Sequence, residues 1–194
     1  MTRKNPSRGP VPIPPPSPLP TPETIDPAGI FNEYSSGNVD LVVVLGPTAS
    51  GKTRYAVRLA GEFNRLCGRS VSEILSADSR QVYKGMDIGT GKDLDEYGNI
   101  PYHLIDIAPA GSRFDLFQWQ QAFEEAYEDV RSRGGVPILC GGTGLYIQAA
   151  TSGYSLPQVP PNEELRAALE QEDVEDLREK LSKMQRTVPY SVML

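Results

Sequence analysis

Eight consecutive residues carry the clearest chemistry in this chain: Gly46, Pro47, Thr48, Ala49, Ser50, Gly51, Lys52 and Thr53. They satisfy the pattern G-x-x-x-x-G-K-[ST] and follow an apolar run, residues 41–46, that reads as a strand buried on both faces. Glycines in such a turn let the backbone close around a diphosphate, and the amides of residues 49–53 can point inward at a helix N-terminus. Lys52 supplies positive charge, and the Thr53 hydroxyl is a ligand for Mg2+. A glycine-rich turn that binds nothing is the alternative, and it leaves the lysine and the flanking strand and helix without a reason. Kinases, nucleoside triphosphatases and transferases that expel pyrophosphate all need this cradle, so the remaining residues must decide which bond breaks.

Two further segments bear on that decision. One runs from Asp78, Ser79, Arg80 and Gln81 through a glycine-rich stretch to Lys92, and the other is Gly141-Gly142-Thr143-Gly144. Asp78 is a carboxylate available as a base or a metal contact, or else a plain cap or turn residue. Thr143 can hydrogen-bond at the reacting atom or simply cap a helix. Lys84 and Lys92 read as solvated lysines that could also reach phosphates, and Arg166 as an exposed helix cation. The strand that enters the second glycine turn lacks a terminal metal-binding Asp, for which Asp106 is a substitute, and there is no Arg-rich lid of the kind small-molecule kinases use.

The elements that must hold these residues alternate. Strands are expected at 41–46, 73–78, 102–107 and 136–140, with helical periodicity between them. The best helical pattern spans 114–133, with Ser112 and Asp115 able to cap its start and Gly134-Gly135 able to stop it. Two shorter helices are expected after Asn162 and Asp173. Such alternation implies an α/β fold, a P-loop NTPase-like doubly wound parallel sheet with helices on both faces. In an open sheet of this kind ligands bind at the carboxyl edge, where the cradle, Asp78 and Thr143 would all stand.

Length and composition limit what surrounds this sheet. The chain has 194 residues, enough for one ordinary α/β domain. Ten of its eighteen prolines precede residue 28, so residues 1–38 are expected to be a disordered Pro-rich tail and 39–194 the folded core. A PPII ligand for an SH3-like or WW-like partner is the alternative use of that tail. No apolar run suits a membrane helix, and a cytoplasmic protein is expected. Two cysteines and one histidine, His103, make neither a disulfide scaffold nor a zinc site. A formal charge of −6 argues against a generally basic nucleic-acid binder, although a local basic groove remains compatible with it.

The segments GPTASGKT, ADSRQVYKGMDIGTGK and PILCGGTGLYIQA, together with YHLIDI, closely resemble the tRNA dimethylallyltransferases over residues 40–170. The resemblance implies transfer of the dimethylallyl group of dimethylallyl diphosphate to N6 of the adenosine 3′ of the anticodon, with release of diphosphate and help from Mg2+. It assigns Gly46 to Thr53 to the diphosphate, with Thr48 to Thr53 nearest the substrate, and matches Asp78 to the general base. It matches Asp78, Ser79, Arg80 and Gln81, with Thr143 and Arg166, to positions that touch tRNA through its anticodon stem-loop. Lys52 and Thr143 join Asp78 as the residues expected to serve catalysis, and a monomer is expected.

This sequence departs from the family pattern at Gly91-Lys92-Asp93, where the family has Ala-Lys-Pro. The family also continues beyond this point, whereas the end of this chain reads as a truncation or a break in the reading frame. Residues 162–194 carry eight acidic and five basic side chains, so no basic stripe replaces the missing part. A transferase acting on free AMP, ADP or ATP and an inactive diphosphate-binding remnant are the alternatives.

Overall fold

The apolar run at the start of the folded region forms β1 (Val42–Leu45), and three strands follow: β2 (Ser72–Ala77), β3 (Tyr102–His103) and β4 (Val136–Gly141). In the computed structural model, which describes residues 24–152 and 162–185, they form one parallel sheet in the order β1-β4-β2-β3. Helices α1 (Pro27–Ser35), α2 (Lys52–Cys67), α3 (Leu116–Ser132) and α4 (Gly144–Thr151) belong to the same unit of the chain, Met1–Tyr154.

Alternate strand residues serve opposite faces of the sheet. Val42, Ile74, Ile138 and Cys140 pack with Ala56, Leu59, Ala60 and Phe63 of α2, while Leu75, Ala77 and Leu139 pack with Trp119 and Phe123 of α3 and Tyr146 of α4. Helices therefore cover both faces, as the alternation of elements implied. Asp115 caps α3 through a box with Gln118, each side chain taking the other's backbone N–H. Ser112, expected to share that cap, donates its hydroxyl to the Pro109 carbonyl instead. Gly134, at φ 68, follows the end of the helix.

Three expectations need correction. β1 is less buried than expected: Val42 and Val44 pack on one face of the sheet and Leu41 and Val43 on the other, but among the described residues the strand pairs with β4 alone, and Leu45 is 68% exposed. β3 stops after two residues because Leu104 and Asp106 take φ of 67 and 57, which break the extended conformation. The chain then pairs with the segment after β2 instead, as Asp106 N–H donates to the Gln81 carbonyl and Ala108 N–H to that of Val82.

The third correction concerns the N-terminal stretch. Its first part lies outside the described residues, but residues 27–35 are the helix α1, with Asp26 accepting from Ala28 N–H and proline in the first turn. Phe31 meets Phe63 with ring centroids 5.5 Å apart, and the Tyr34 hydroxyl donates to the Gly135 carbonyl at 2.9 Å. Few but well-placed apolar residues thus order a segment whose neighbouring prolines suggest disorder.

The second unit, Ser155–Leu194, carries α5 (Glu163–Leu169) and α6 (Val174–Gln185). The Asn162 side chain caps α5 by accepting from Leu165 N–H at 2.9 Å, as its sequence position suggested. Leu165, Val174, Leu181 and Met184 on these two helices are all exposed. No helix among the described residues is long and apolar enough to cross a membrane.

Candidate functional site

At the carboxyl edge of the sheet a cleft of about 410 Å3 is lined by Thr48, Ala49, Gly51, Lys52 and Thr53 on one side and by Asp78, Arg80 and Gln81 from the turn after β2. Each segment is brought there by the end of a strand. The loop after β1 turns sharply through Ala49 at φ 62 and Gly51 at φ 79, and Gly51 is the residue from which α2 begins. Successive backbone amides in such a turn form an anion-binding concavity at a helix N-terminus. Lys52 Nζ donates to the Pro47 carbonyl at 3.1 Å, which holds the ammonium against the loop. Gly46, Pro47 and Ser50 line a separate groove along β1 rather than the cleft itself. They build the loop whose other residues line the cleft.

Asp78 is 15% exposed. Its Oδ1 accepts from Arg80 N–H at 3.0 Å, and Arg80 Nε stands 3.6 Å from the same oxygen. The carboxylate is thus aimed and kept beside a cation at the wall of the cleft. Thr143 occupies the cap position of α4 but makes no side-chain cap bond. Its Oγ1 instead accepts from Ser79 N–H at 3.0 Å and donates to Ser79 Oγ at 3.3 Å, so it ties the second glycine turn to the Asp78 turn. That approach requires Gly141, where any Cβ would collide with the Ala77 carbonyl.

Gln81 is buried beneath the cleft. Its Oε1 accepts from Ser76 Oγ at 2.8 Å and its Nε2 donates to the Gly91 carbonyl at 2.8 Å. Both ends of a residue expected to touch tRNA are therefore engaged within the fold. Arg166 lies on α5, in the second unit, outside the unit that carries the cleft.

Other residues at the site are less legible in the sequence. Lys92, which the sequence leaves between solvent and a phosphate, is enclosed and pairs with Asp106 at 2.6 Å. Asp106, the expected substitute for a metal-binding Asp, is thus engaged with Lys92 and is not among the residues that line the cleft. Cys140 lines the cleft, and burial pushes its thiol up to about 11, so it stays protonated at neutral pH. Tyr97 reaches the cleft from a short turn of helix, Leu94–Tyr97, and burial raises its hydroxyl well above the ordinary range. Arg54 bonds Glu96 at 2.8 Å at the rim. Only folding brings residues from 90–97 beside 48–54, and no motif spacing announces it.

The oxygen donors at the cleft fit Mg2+. The Thr53 hydroxyl and the Asp78 carboxylate are hard ligands, and among the described residues no group of three or more His, Cys, Asp or Glu forms a protein cage. Mg2+ commonly binds that way, through one or two protein oxygens with phosphates and water completing its shell.

A parallel sheet whose first strand feeds this loop and helix defines a P-loop fold built for phosphate groups. Comparison with known proteins narrows the class. The family model described as IPP transferase matches residues 81–190, more than half of the chain. The chain belongs to the IPP transferase family.

Among its relatives, tRNA dimethylallyltransferase 2 of Bacteroides fragilis is 51% identical over 147 residues, covering 74% of this chain and 46% of the relative. tRNA dimethylallyltransferase 1 of Geotalea daltonii is 53% identical over 142 residues, covering 73% and 44%. The full-length tRNA isopentenylpyrophosphate transferase of Bacillus halodurans superposes with a TM-score of 0.55 at 38% identity, over 74% of this chain and 47% of that one. A eukaryotic dimethylallyltransferase acting on tRNA gives 0.60 at 29% identity, over 74% and 35%. The chain spans about half the length of the curated relatives it matches.

Proposed function

We propose that this chain carries the catalytic core of a tRNA dimethylallyltransferase, which moves the dimethylallyl group of dimethylallyl diphosphate onto N6 of the adenosine 3′ of the anticodon. The observation that carries the reading is the cleft in which the P-loop residues Lys52 and Thr53 and the carboxylate of Asp78 meet. Relatives at half identity or better that bear this name support it. In this reading the diphosphate lies on the amides of residues 49–53 with Lys52 beside it. As the allylic C–O bond breaks, its electron pair leaves with the diphosphate, and those amides and Lys52 stabilise the growing negative charge. Adenine N6 forms the new bond to the allylic carbon. Because its lone pair is delocalised into the ring, it must shed an N–H proton, which Asp78 accepts.

The Thr53 hydroxyl would hold Mg2+, which supplies further charge neutralisation on the diphosphate when bound. Arg80, beside Asp78, would meet an RNA phosphate, and Thr143 and Ser79, which bond each other, would shape the turn that receives an extruded base. The same reading takes the anticodon stem-loop as the portion of tRNA recognised, a monomer as the working unit and the cytoplasm as the place of action.

The test is to incubate the purified chain with tRNA, dimethylallyl diphosphate and Mg2+, then analyse digested nucleosides by mass spectrometry. N6-dimethylallyladenosine in tRNA is the expected product. Product from AMP, ADP or ATP with none from tRNA would overturn the acceptor assignment, and binding of the diphosphate without product from any acceptor would overturn the enzymatic one.

A further inference from the structure

Lys92 is the charged residue whose position is hardest to reconcile with a surface role: its side chain is 1% exposed. An ammonium has three N–H donors, and here each has an acceptor. Nζ donates to the Tyr83 carbonyl at 2.5 Å, to Asp106 Oδ1 at 2.6 Å and to Asp87 Oδ1 at 3.3 Å. Desolvation works against the charge, but the bonds to Asp106 and Asp87 outweigh it and hold the pKa above the ordinary lysine value.

The three acceptors belong to different parts of the chain. Tyr83 follows the Asp78 turn, Asp87 sits in the glycine-rich loop, and Asp106 follows β3 at φ 57. Between them, Gly85, Gly89 and Gly91 all have positive φ, so the loop is built from residues that on their own constrain it little. Further bonds hold it: Thr90 Oγ1 to the Met86 carbonyl and Gln81 Nε2 to that of Gly91. Thr90, Gly91 and Asp93, on either side of Lys92 in sequence, line the same cleft as Lys52 and Asp78.

We propose that Lys92 is a positioning residue for the acceptor. Resting on the transferase reading above, it pins the 84–93 loop to Asp106 so that Thr90, Gly91 and Asp93 form a fixed wall against which the adenosine is held beside Asp78. It is not a ligand of the diphosphate, since all three of its donors are engaged with this chain.

Lys92→Met and Asp106→Ala, made in the full chain, test this. Asp106 is 36% exposed, so its truncation is the milder change if the lysine variant fails to fold. Backbone amide hydrogen exchange within 84–93 should accelerate about tenfold or more in both variants, the scale expected when a buried charged group loses its partner. Asp106→Asn, which retains the acceptor oxygen, should restore most of the protection. Dimethylallyl diphosphate affinity, measured by calorimetry, should stay within about twofold of the parent, while the tRNA KM rises about tenfold or more. Unchanged exchange in both variants overturns the clamp, and a large loss of diphosphate affinity with unchanged exchange returns Lys92 to the role of a phosphate ligand. If the parent chain binds dimethylallyl diphosphate but makes no product, the failure belongs to the transferase reading, and the exchange and affinity measurements still decide the clamp.

Discussion

Lys52 and Asp78 share a cleft but carry opposite charge and, in the proposed reaction, opposite duties. Lys52→Ala removes positive charge from the diphosphate side and should weaken dimethylallyl diphosphate binding measurably by calorimetry. Asp78→Asn preserves shape and the bond from Arg80 N–H but cannot accept a proton, so diphosphate affinity should hold. Its turnover should fall by about 10²-fold or more, the usual contribution of a positioned general base. Parent-like turnover in a folded Asp78→Asn variant would assign the proton to another group. Thr143 illustrates a different residue-scale lesson. A threonine before a helix invites a capping role, yet its hydroxyl spans to Ser79, because the glycine turn after β4 brings the two loops within hydrogen-bond reach.

Elements explain why the two ends of the sheet differ. The carboxyl ends of β1, β2 and β4 open into the loops of the cleft, while Glu73, early in β2, lies in an ion cluster with His103 at 2.6 Å and Arg133 at 2.6 Å. Burial tends to raise the Glu73 carboxyl, but hydrogen bonds from Arg133 and His103 outweigh it and hold the carboxyl below its ordinary value. A depressed carboxyl contributes stability that is present above the unfolded-state pKa and is lost as pH falls through the folded-state pKa. Glu73→Gln should therefore be less stable than the parent near neutrality, on the order of 1 kcal/mol after solvent screening. The gap should close as the pH is lowered through the acid range, and urea unfolding of both proteins across that range measures it. A gap constant with pH would mean that the cluster contributes packing alone.

For the unit Met1–Tyr154 as a whole, the helix α1 shows how little apolar surface is needed to recruit a segment when the body offers a matching site. Phe31 is only partly buried, yet its ring meets Phe63, which is fully enclosed. Phe31→Ala should cost about 2 kcal/mol by denaturant unfolding, less than a fully buried phenylalanine would. No change would make α1 an accessory to a core that is stable without it. Among the described residues of this unit β1 stands at the sheet edge, with Leu45 exposed.

Features built from residues close in sequence are legible in the sequence itself. The P-loop, the alternation of strands and helices, and the Asn162 cap depend on spacing, backbone conformation and local hydrogen bonds, which a linear pattern records. The third strand is shorter than its pattern suggests because alternation in residues 102–107 says nothing about the positive φ at Leu104 and Asp106. The prolines before residue 28 similarly obscure the contact of Phe31 with a ring thirty-two positions away. By itself, then, the sequence determined that a P-loop stands at the carboxyl edge of a parallel sheet, because motif and strand are contiguous. Only the tertiary structure decided that Lys92 is enclosed by Tyr83, Asp87 and Asp106, and that Thr143 holds Ser79. A charged or polar side chain has a role set by the partners that folding brings to it, and those partners lie at separations that no periodicity encodes.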